Sequence, residues 1–330
     1  MISNNFRNIT YFEKIKNICV SYLYNNYDFC YLSAMHEKNK NIGADTTIIG
    51  SSHAMNGIIE NELGNAGDVI SFCISSQDLY YDFEHIKRAV EKGARPIKRC
   101  LMNLGYYMMY QDLSMSKQIR IIIPETYMNL FGDYCVHNYR DAIRIDLMKN
   151  VDIDTELYPY ETVSDLCRFW GINALKEQST FYGPLMKREN NNMLGVKHVI
   201  WKELSDEQKT DYVINRVVNG HNKHINHLDT RKENGIILEE MVKYLHEHKI
   251  KTYFFITPFT KKYNEYIEPK YLPDIFKALD SLKYPVEFLD MNDYGDYFDD
   301  SDFIDSDHLN ELGAHKATAI LNNYIKLVEG

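Results

Sequence analysis

The sequence predicts an α/β fold: a mostly parallel sheet with helices on both faces. Two observations carry this, namely five short apolar runs bounded by turn residues and helix-patterned stretches between several of them. The runs are "TTIIG" (46–50), "DVISFC" (68–73), "IKRCLMN" (97–103), "KTYFFIT" (251–257) and "VEFLDM" (286–291). After the second run, "QDLYYDFEHIKRAVEKG" places Leu79, Phe83, Ile86 and Val90 at helical spacing, and Gly93 supplies a C-terminal stop. "NGIILEEMVKYLHEHKI" puts Ile237, Met241, Tyr244 and Leu245 on one stripe directly before the fourth run, and "NELGAHKATAILNNYIKLVEG" closes the chain similarly. Strands alternating with such helices read as βαβ units, hence a parallel sheet. The segment 111–235 breaks the alternation. It is rich in Tyr, Asn and charge and offers few strands apart from "IRIII" (119–123), so it reads as a largely helical insertion within a single domain spanning 1–330. Its helices are expected over the edge where the loops leave the strands, which is where ligands bind in open α/β sheets.

Composition narrows the partners. A chain of 330 residues, 45% hydrophobic, 25% charged and 13% aromatic, is long and apolar enough to bury a substantial core. A net charge of -10 argues against nucleic acid, because phosphate neutralisation needs a basic face. No run has the apolar length of a signal peptide or of the roughly 20 residues that cross a membrane, so a cytoplasmic chain without a transmembrane segment is expected. Cys19, Cys30, Cys73, Cys100, Cys135 and Cys167 form no C-x-x-C pair and predict reduced thiols, with neither a zinc knuckle nor a disulfide framework.

Two stretches carry candidate chemistry. In "TTIIGSSHAMNGI" a strand ends in Gly50-Ser51-Ser52 and a helix follows, whose free N–H groups would face an oxyanion at the serine; the plainer reading is that Ser51 or Ser52 caps the helix. In "FIDSDHLNELGAHKA", Asp305 stands three residues before His308 in the loop entering the last helix. A serine hydroxyl attacks usefully only when a base takes its proton, and that base works best when a carboxylate fixes its tautomer. His308 and Asp305 offer both, although an acidic cap is the simpler use of such a loop. His53, beside Ser52, reads as a polar residue of the first helical turn.

Taken together, Gly-Ser-Ser after the first strand and Asp-x-x-His before the last helix resemble the SGNH (GDSL-type) hydrolase family. More closely, "GSSHAMNGI", "SSQDLYYDFEHIK", "NGIILEEMV", "ITPFTKKY" and "DFIDSDHLNELGAHKA" are similar to a divergent bacterial branch found with surface-polysaccharide genes. The similarity covers roughly residues 44–110 and 234–328. It implies a flavodoxin-like three-layer fold and a triad of Ser52, His308 and Asp305, with Asp305 preferred over Asp307. It further implies a serine esterase or O-acyltransferase that works on a carbohydrate or polysaccharide precursor through an acyl-enzyme, without a cofactor or metal. Ser51 replaces the family's aspartate. For the oxyanion, the family pattern points to the backbone of Ser52 and Ser76, with Gln77 adjacent; Tyr107, in "LGYYMM", stands where the family has an asparagine donor. Tyr107, Gln77 or Asn103 would then substitute. The alternative is a non-catalytic member of the fold that binds a glycan or a biosynthetic partner.

Other signals are weaker. His221, His224 and His227 in "HNKHINH" would spread over a helical arc and read as a solvated face rather than a metal site, and His246 and His248 as surface residues. "DMNDYGDYFDDSD" begins like a calcium loop at Asp290, but Tyr294 and Ser301 occupy ligand positions, so it reads as an acidic loop beside the Asp-His pair. No Gly-x-Gly-x-x-Gly or Walker loop occurs, and Ala54 breaks the Gly-x-Ser-x-Gly of α/β-hydrolases.

Overall fold

The structure, a computed structural model, describes residues 2–151, 153, 159–176 and 200–330, with side chains from residue 12 onward. Five strands form, one inside each apolar run: β1 (Thr46–Ile49), β2 (Val69–Ser71), β3 (Arg99–Asn103), β4 (Lys251–Ile256) and β5 (Glu287–Asp290). All pair in parallel, in the order β2-β1-β3-β4-β5. Neighbouring residues of a strand point to opposite faces, and Ile48, Ile49, Leu101, Met102, Phe254 and Phe255 are all buried. Both faces are therefore covered, as a parallel sheet requires. The α/β architecture with an all-parallel sheet is consistent with three layers.

The order places β1 between β2 and β3, so the chain leaves β1 toward one edge and later returns to the other side. Such a switch opens a crevice at the carboxyl ends of the strands. Gly50 sits at its mouth with φ +136°, and a Cβ there would lie 2.8 Å from Asn103 Cβ. Only glycine lets β1 turn out this close to β3.

The helix Leu79–Lys92 starts at Asp78, whose carboxylate accepts the Tyr81 N–H at 3.3 Å. Leu79 and Ile86 are buried, with Phe83 and Val90 packed partly against the core. Gly93 ends this helix by another route than a left-handed turn. Its φ is -66°, and a Cβ would meet the Ala89 carbonyl oxygen at 2.8 Å. The helix Leu228–Glu247 buries Leu238, Met241, Val242 and Leu245, packs on β4, and begins inside the segment read as an insertion. The last helix, Glu311–Glu329, is capped by Asn310 and buries Ala314, Ala317, Leu321 and Ile325.

Two features differ from the sequence pattern. Helices Ile2–Asn25 and Tyr27–Asn41 precede β1. Ten residues of the second are buried, and a helix covered nearly all round leaves no amphipathic stripe to read. "IRIII" is not a strand. The N–H groups of Ile122 and Ile123 bond to the carbonyls of Ile119 and Arg120, and Ile123–Tyr127 forms a π-helical turn containing Pro124. These local bonds consume the groups a ladder would need.

Between β3 and β4 the described residues hold helices Met128–Phe131, Tyr160–Leu175 and Asp206–Val213, besides Leu228–Glu247, and no strand. Tyr160–Leu175 packs on the two N-terminal helices. All six cysteines are buried and unpaired by disulfides. Among the described residues no helix is long and apolar enough to cross a membrane.

Candidate active site

Past Gly50 the chain enters the short helix Ser52–Gly57. Ser51 holds the N-cap position in extended geometry, yet its side chain makes no capping bond. The first helical bond runs from the Met55 N–H to the Ser51 carbonyl at 3.1 Å, which leaves the N–H groups of Ser52, His53 and Ala54 outside the helical ladder. Capping thus does not explain the serine pair.

The loop before the last helix arrives beside Ser52. A single antiparallel bridge, Phe303 to Leu309, pinches this loop, and Ile304 N–H bonds to the His308 carbonyl at 2.8 Å. Inside it, Asp305 Oδ1 accepts the N–H groups of Asp307 (3.0 Å) and His308 (2.9 Å), which fixes the carboxylate against the imidazole. His308 Nδ1 lies 2.9 Å from Asp305 Oδ2, and Ser52 Oγ donates to His308 Nε2 across 2.8 Å. Because Nδ1 faces only acceptors, it carries the proton, and Nε2 is left as the base toward the serine. The structure therefore brings Ser52 to the His308–Asp305 pair, with Ser52 and His308 256 residues apart in sequence.

Electrostatics reinforce the geometry. Burial would lower the His308 pKa, but the charges of Asp305 and Asp307 and the Asp305 hydrogen bond outweigh it and hold the imidazole above its usual value. Burial would raise Asp305, but the His308 charge and hydrogen bond keep it below the usual carboxylate range. The base is thus strengthened and its orienting carboxylate stays ionised.

A second imidazole–carboxylate pair, which the sequence reading missed, lies against the first. His53 is buried and stacks on His308 with ring centres 4.9 Å apart, and its Nε2 donates to Asp307 Oδ2 at 3.1 Å. Arg216 donates to the same carboxylate, from Nε to Oδ1 at 2.9 Å and from Nη2 to Oδ2 at 2.8 Å. Burial would raise Asp307, yet Arg216, His308 and the His53 bond hold it well below its usual range. Burial keeps His53 low and hence neutral at pH 7. The only prior signal was the unusual adjacency of Ser52 to His53 and of Asp307 to His308. Arg216 carried none, since it comes from a π-helical turn, Ile214–Val218, in the segment without sheet alternation.

His221, His224 and Tyr107 correct the expected solvated face. The Tyr107 ring stacks on His221 (4.1 Å) and His224 (5.5 Å) and meets His53 edge-on. His221 is buried and bonds Tyr263 through Nδ1 at 2.8 Å; burial drives its pKa well down, and that of His224 to about 4. The segment lies inward because Tyr107 offers a flat aromatic face, which period alone does not reveal. His246 and His248 are exposed, as expected.

The oxyanion candidates separate. Ser52 keeps its backbone N–H outside the helical ladder at the helix start. Gln77 does not serve, because its side chain is fully buried and occupied: Nε2 donates to Asp82 (2.7 Å), the Phe72 carbonyl (3.0 Å) and the Gly50 carbonyl (3.4 Å), while Tyr127 donates to Oε1. Asn103 is likewise buried, donating to the Phe255 carbonyl at 3.3 Å. Ser76 turns through φ +64°, its carbonyl accepts from Gln111, and it borders a hollow of about 320 Å³ with Asn26, Asp28 and Glu125. Tyr107 reaches the site, with its ring committed to His221 and His53.

Among the described residues, two groups bring metal-ligating atoms within 4.8 Å of one another, His53–Asp307–His308 and Asp78–Asp112–His137. In the first, Arg216 already covers both Asp307 oxygens and would repel a cation. In the second, Asp78 and Asp112 accept the N–H groups of Leu113 (2.7 Å) and Ser114 (2.8 Å) and so brace the loop after β3. The acidic run at 290–302 is held by local and distant donors, with Asp290 accepting from Asn292, Asp299 and Asp302 forming a capping box, Asp300 accepting from Trp201 and Lys209, and Asp302 from Lys316. Compared with protein families and with curated proteins, the chain matches none.

Proposed function

We propose that this protein is a serine esterase or O-acyltransferase of the SGNH type, acting on a carbohydrate or polysaccharide precursor. The observation that carries the reading is the continuous hydrogen-bond chain from Ser52 Oγ through His308 to Asp305. In this reading Ser52 attacks an ester carbonyl while His308 Nε2 takes its proton. The tetrahedral oxyanion is met by the N–H groups at the start of the Ser52–Gly57 helix, and Asp305 supports the imidazolium. Collapse expels the alcohol, which regains the proton from His308, and leaves an acyl group on Ser52. Water or a second alcohol then removes it by the same steps in reverse. The glycan substrate class is supported by the sequence resemblance, and the chemistry by the geometry.

A fluorophosphonate probe tests the reading, since it reacts only with an activated serine. Wild type should take up one label and Ser52→Ala none, with loss of acyl-ester turnover. If wild type takes up no label and the two proteins turn over esters equally, the chain is a non-catalytic binding protein of this fold. The committed side chains of Gln77 and Asn103 are what that second reading has in its favour.

A further inference from the structure

We infer that Arg216 is a positioning residue that sets the basicity of His308 from outside the triad, by locking Asp307 onto His53 and leaving Asp305 as the sole carboxylate on His308 Nδ1. The inference rests on the proposed function only for its catalytic consequence.

Two carboxylates flank His308, and both are able in principle to claim its proton. Asp307 Oδ2 lies 4.0 Å from His308 Nδ1, against 2.9 Å for Asp305 Oδ2. What holds Asp307 off is a full set of other donors. Oδ1 accepts Arg216 Nε (2.9 Å) and Ser306 Oγ (2.8 Å), while Oδ2 accepts Arg216 Nη2 (2.8 Å) and His53 Nε2 (3.1 Å). Four donors fill the lone-pair sites of one carboxylate, so Asp307 has none left for a hydrogen bond to His308 and acts on it through its charge alone. A two-toothed guanidinium also fixes the plane of the carboxylate, which a lysine cannot do. Asp307 itself is wholly buried, whereas a third of the Arg216 side chain is exposed, so the clamp is the outward end of the array.

The clamp comes from the chain between β3 and β4. Arg216 follows directly on the helix Asp206–Val213, and Tyr212 at the end of that helix lies near enough to Asp305 for that charge to raise its phenol. This one stretch therefore binds Asp307 directly and lies beside Asp305. Without Arg216, Asp307 would stand as a buried, partly unmatched anion 4.0 Å from the imidazole, and would favour its protonated form. The groups acting on His308 are Asp305 and Asp307 from its own loop, Ser52 and His53 from the helix after β1, and Arg216 from this stretch, with Tyr107 behind His53 and Tyr212 beside Asp305. The phenols of Tyr107 and Tyr212 are raised by burial and stay neutral, and His53 is held neutral by burial, so the balance lies between the two carboxylates and Arg216.

The test is an NMR titration of the His308 ring in full-length, histidine-labelled protein, which needs no turnover. Arg216→Gln should raise the His308 midpoint by about one pH unit, the usual scale for one charge at this range. Arg216→Lys should recover part of that shift. Asp307→Asn should lower the midpoint, and in its background Arg216→Gln should have less than half its effect, because the two act as a unit. In turnover, the acid limb of the kcat/KM profile should move up with the midpoint, a change that loss of structure alone does not produce. An unmoved His308 midpoint in folded Arg216→Gln overturns the inference, as does equal action of Arg216→Gln with and without Asp307. Should Arg216→Gln fail to fold, Arg216→Lys and Asp307→Asn decide by the same midpoints. Absent serine labelling with a shifted midpoint refutes the enzyme and keeps the clamp; normal labelling with an unmoved midpoint does the opposite.

Discussion

Two imidazole–carboxylate pairs lie side by side in this molecule and behave in opposite ways. His308 turns Nδ1 to Asp305 and presents Nε2 to Ser52, whereas His53 turns Nε2 to Asp307 and leaves Nδ1 buried without a hydrogen-bond partner. That Nδ1 faces Gly105, where a Cβ would come within 3.3 Å. The same two residue types thus present a nitrogen to a serine hydroxyl in one place and form a wall in the other. What differs is which nitrogen the carboxylate claims, and whether the remaining nitrogen meets a hydroxyl.

The largest effect that would break this contrast is at the serine. Ser52→Ala should lower acyl-ester turnover by about a millionfold, measured under single-turnover conditions. Next come the two aspartates. Asp305→Asn should cost about 10⁴ in kcat, on the scale of a lost orienting carboxylate. Asp307→Asn should cost kcat less but stability more, about 3 kcal/mol by urea unfolding, because it leaves Arg216 partly buried without its partner. Equal kcat losses from both would erase the distinction between the pairs.

A third imidazole pair sharpens it. His36 Nε2 and His85 Nδ1 meet at 2.9 Å among Phe72 and Phe131, and burial drives both pKa values down, that of His85 to about 3. A base whose folded pKa is depressed gives stability that is complete above the unfolded value near 6.5 and falls as pH drops toward the folded value. Stability should therefore decline from about pH 6.5 downward by roughly 1.4 kcal/mol per pH unit for each such histidine, and His85→Gln should flatten that slope. His308 goes the other way: its raised pKa should place the acid limb of kcat/KM above pH 6.5, with activity lost as pH falls through it. The smallest effect is expected at the wall. Gly105→Ala brings a methyl group within 3.3 Å of His53 and should cost about 1 kcal/mol, read as a small drop in thermal midpoint.

The sequence alone determined the five strands and the helices Leu79–Lys92, Leu228–Glu247 and Glu311–Glu329, because short apolar runs and one-sided stripes are local properties of burial. It also singled out Ser52, Asp305 and His308, which two short blocks and their resemblance to a known family together pose as nucleophile, support and base. It did not reveal the N-terminal helix Tyr27–Asn41, covered on nearly all sides, nor the turn that replaces the strand at "IRIII". Only tertiary structure decided the rest. That Gln77 is buried among structural partners, that His221 and His224 stack on Tyr107, and that Arg216 closes on Asp307 are consequences of contacts between distant parts of the chain. Hydrogen-bond donors are interchangeable in a sequence; which acceptor each one meets is settled only when the chain is packed.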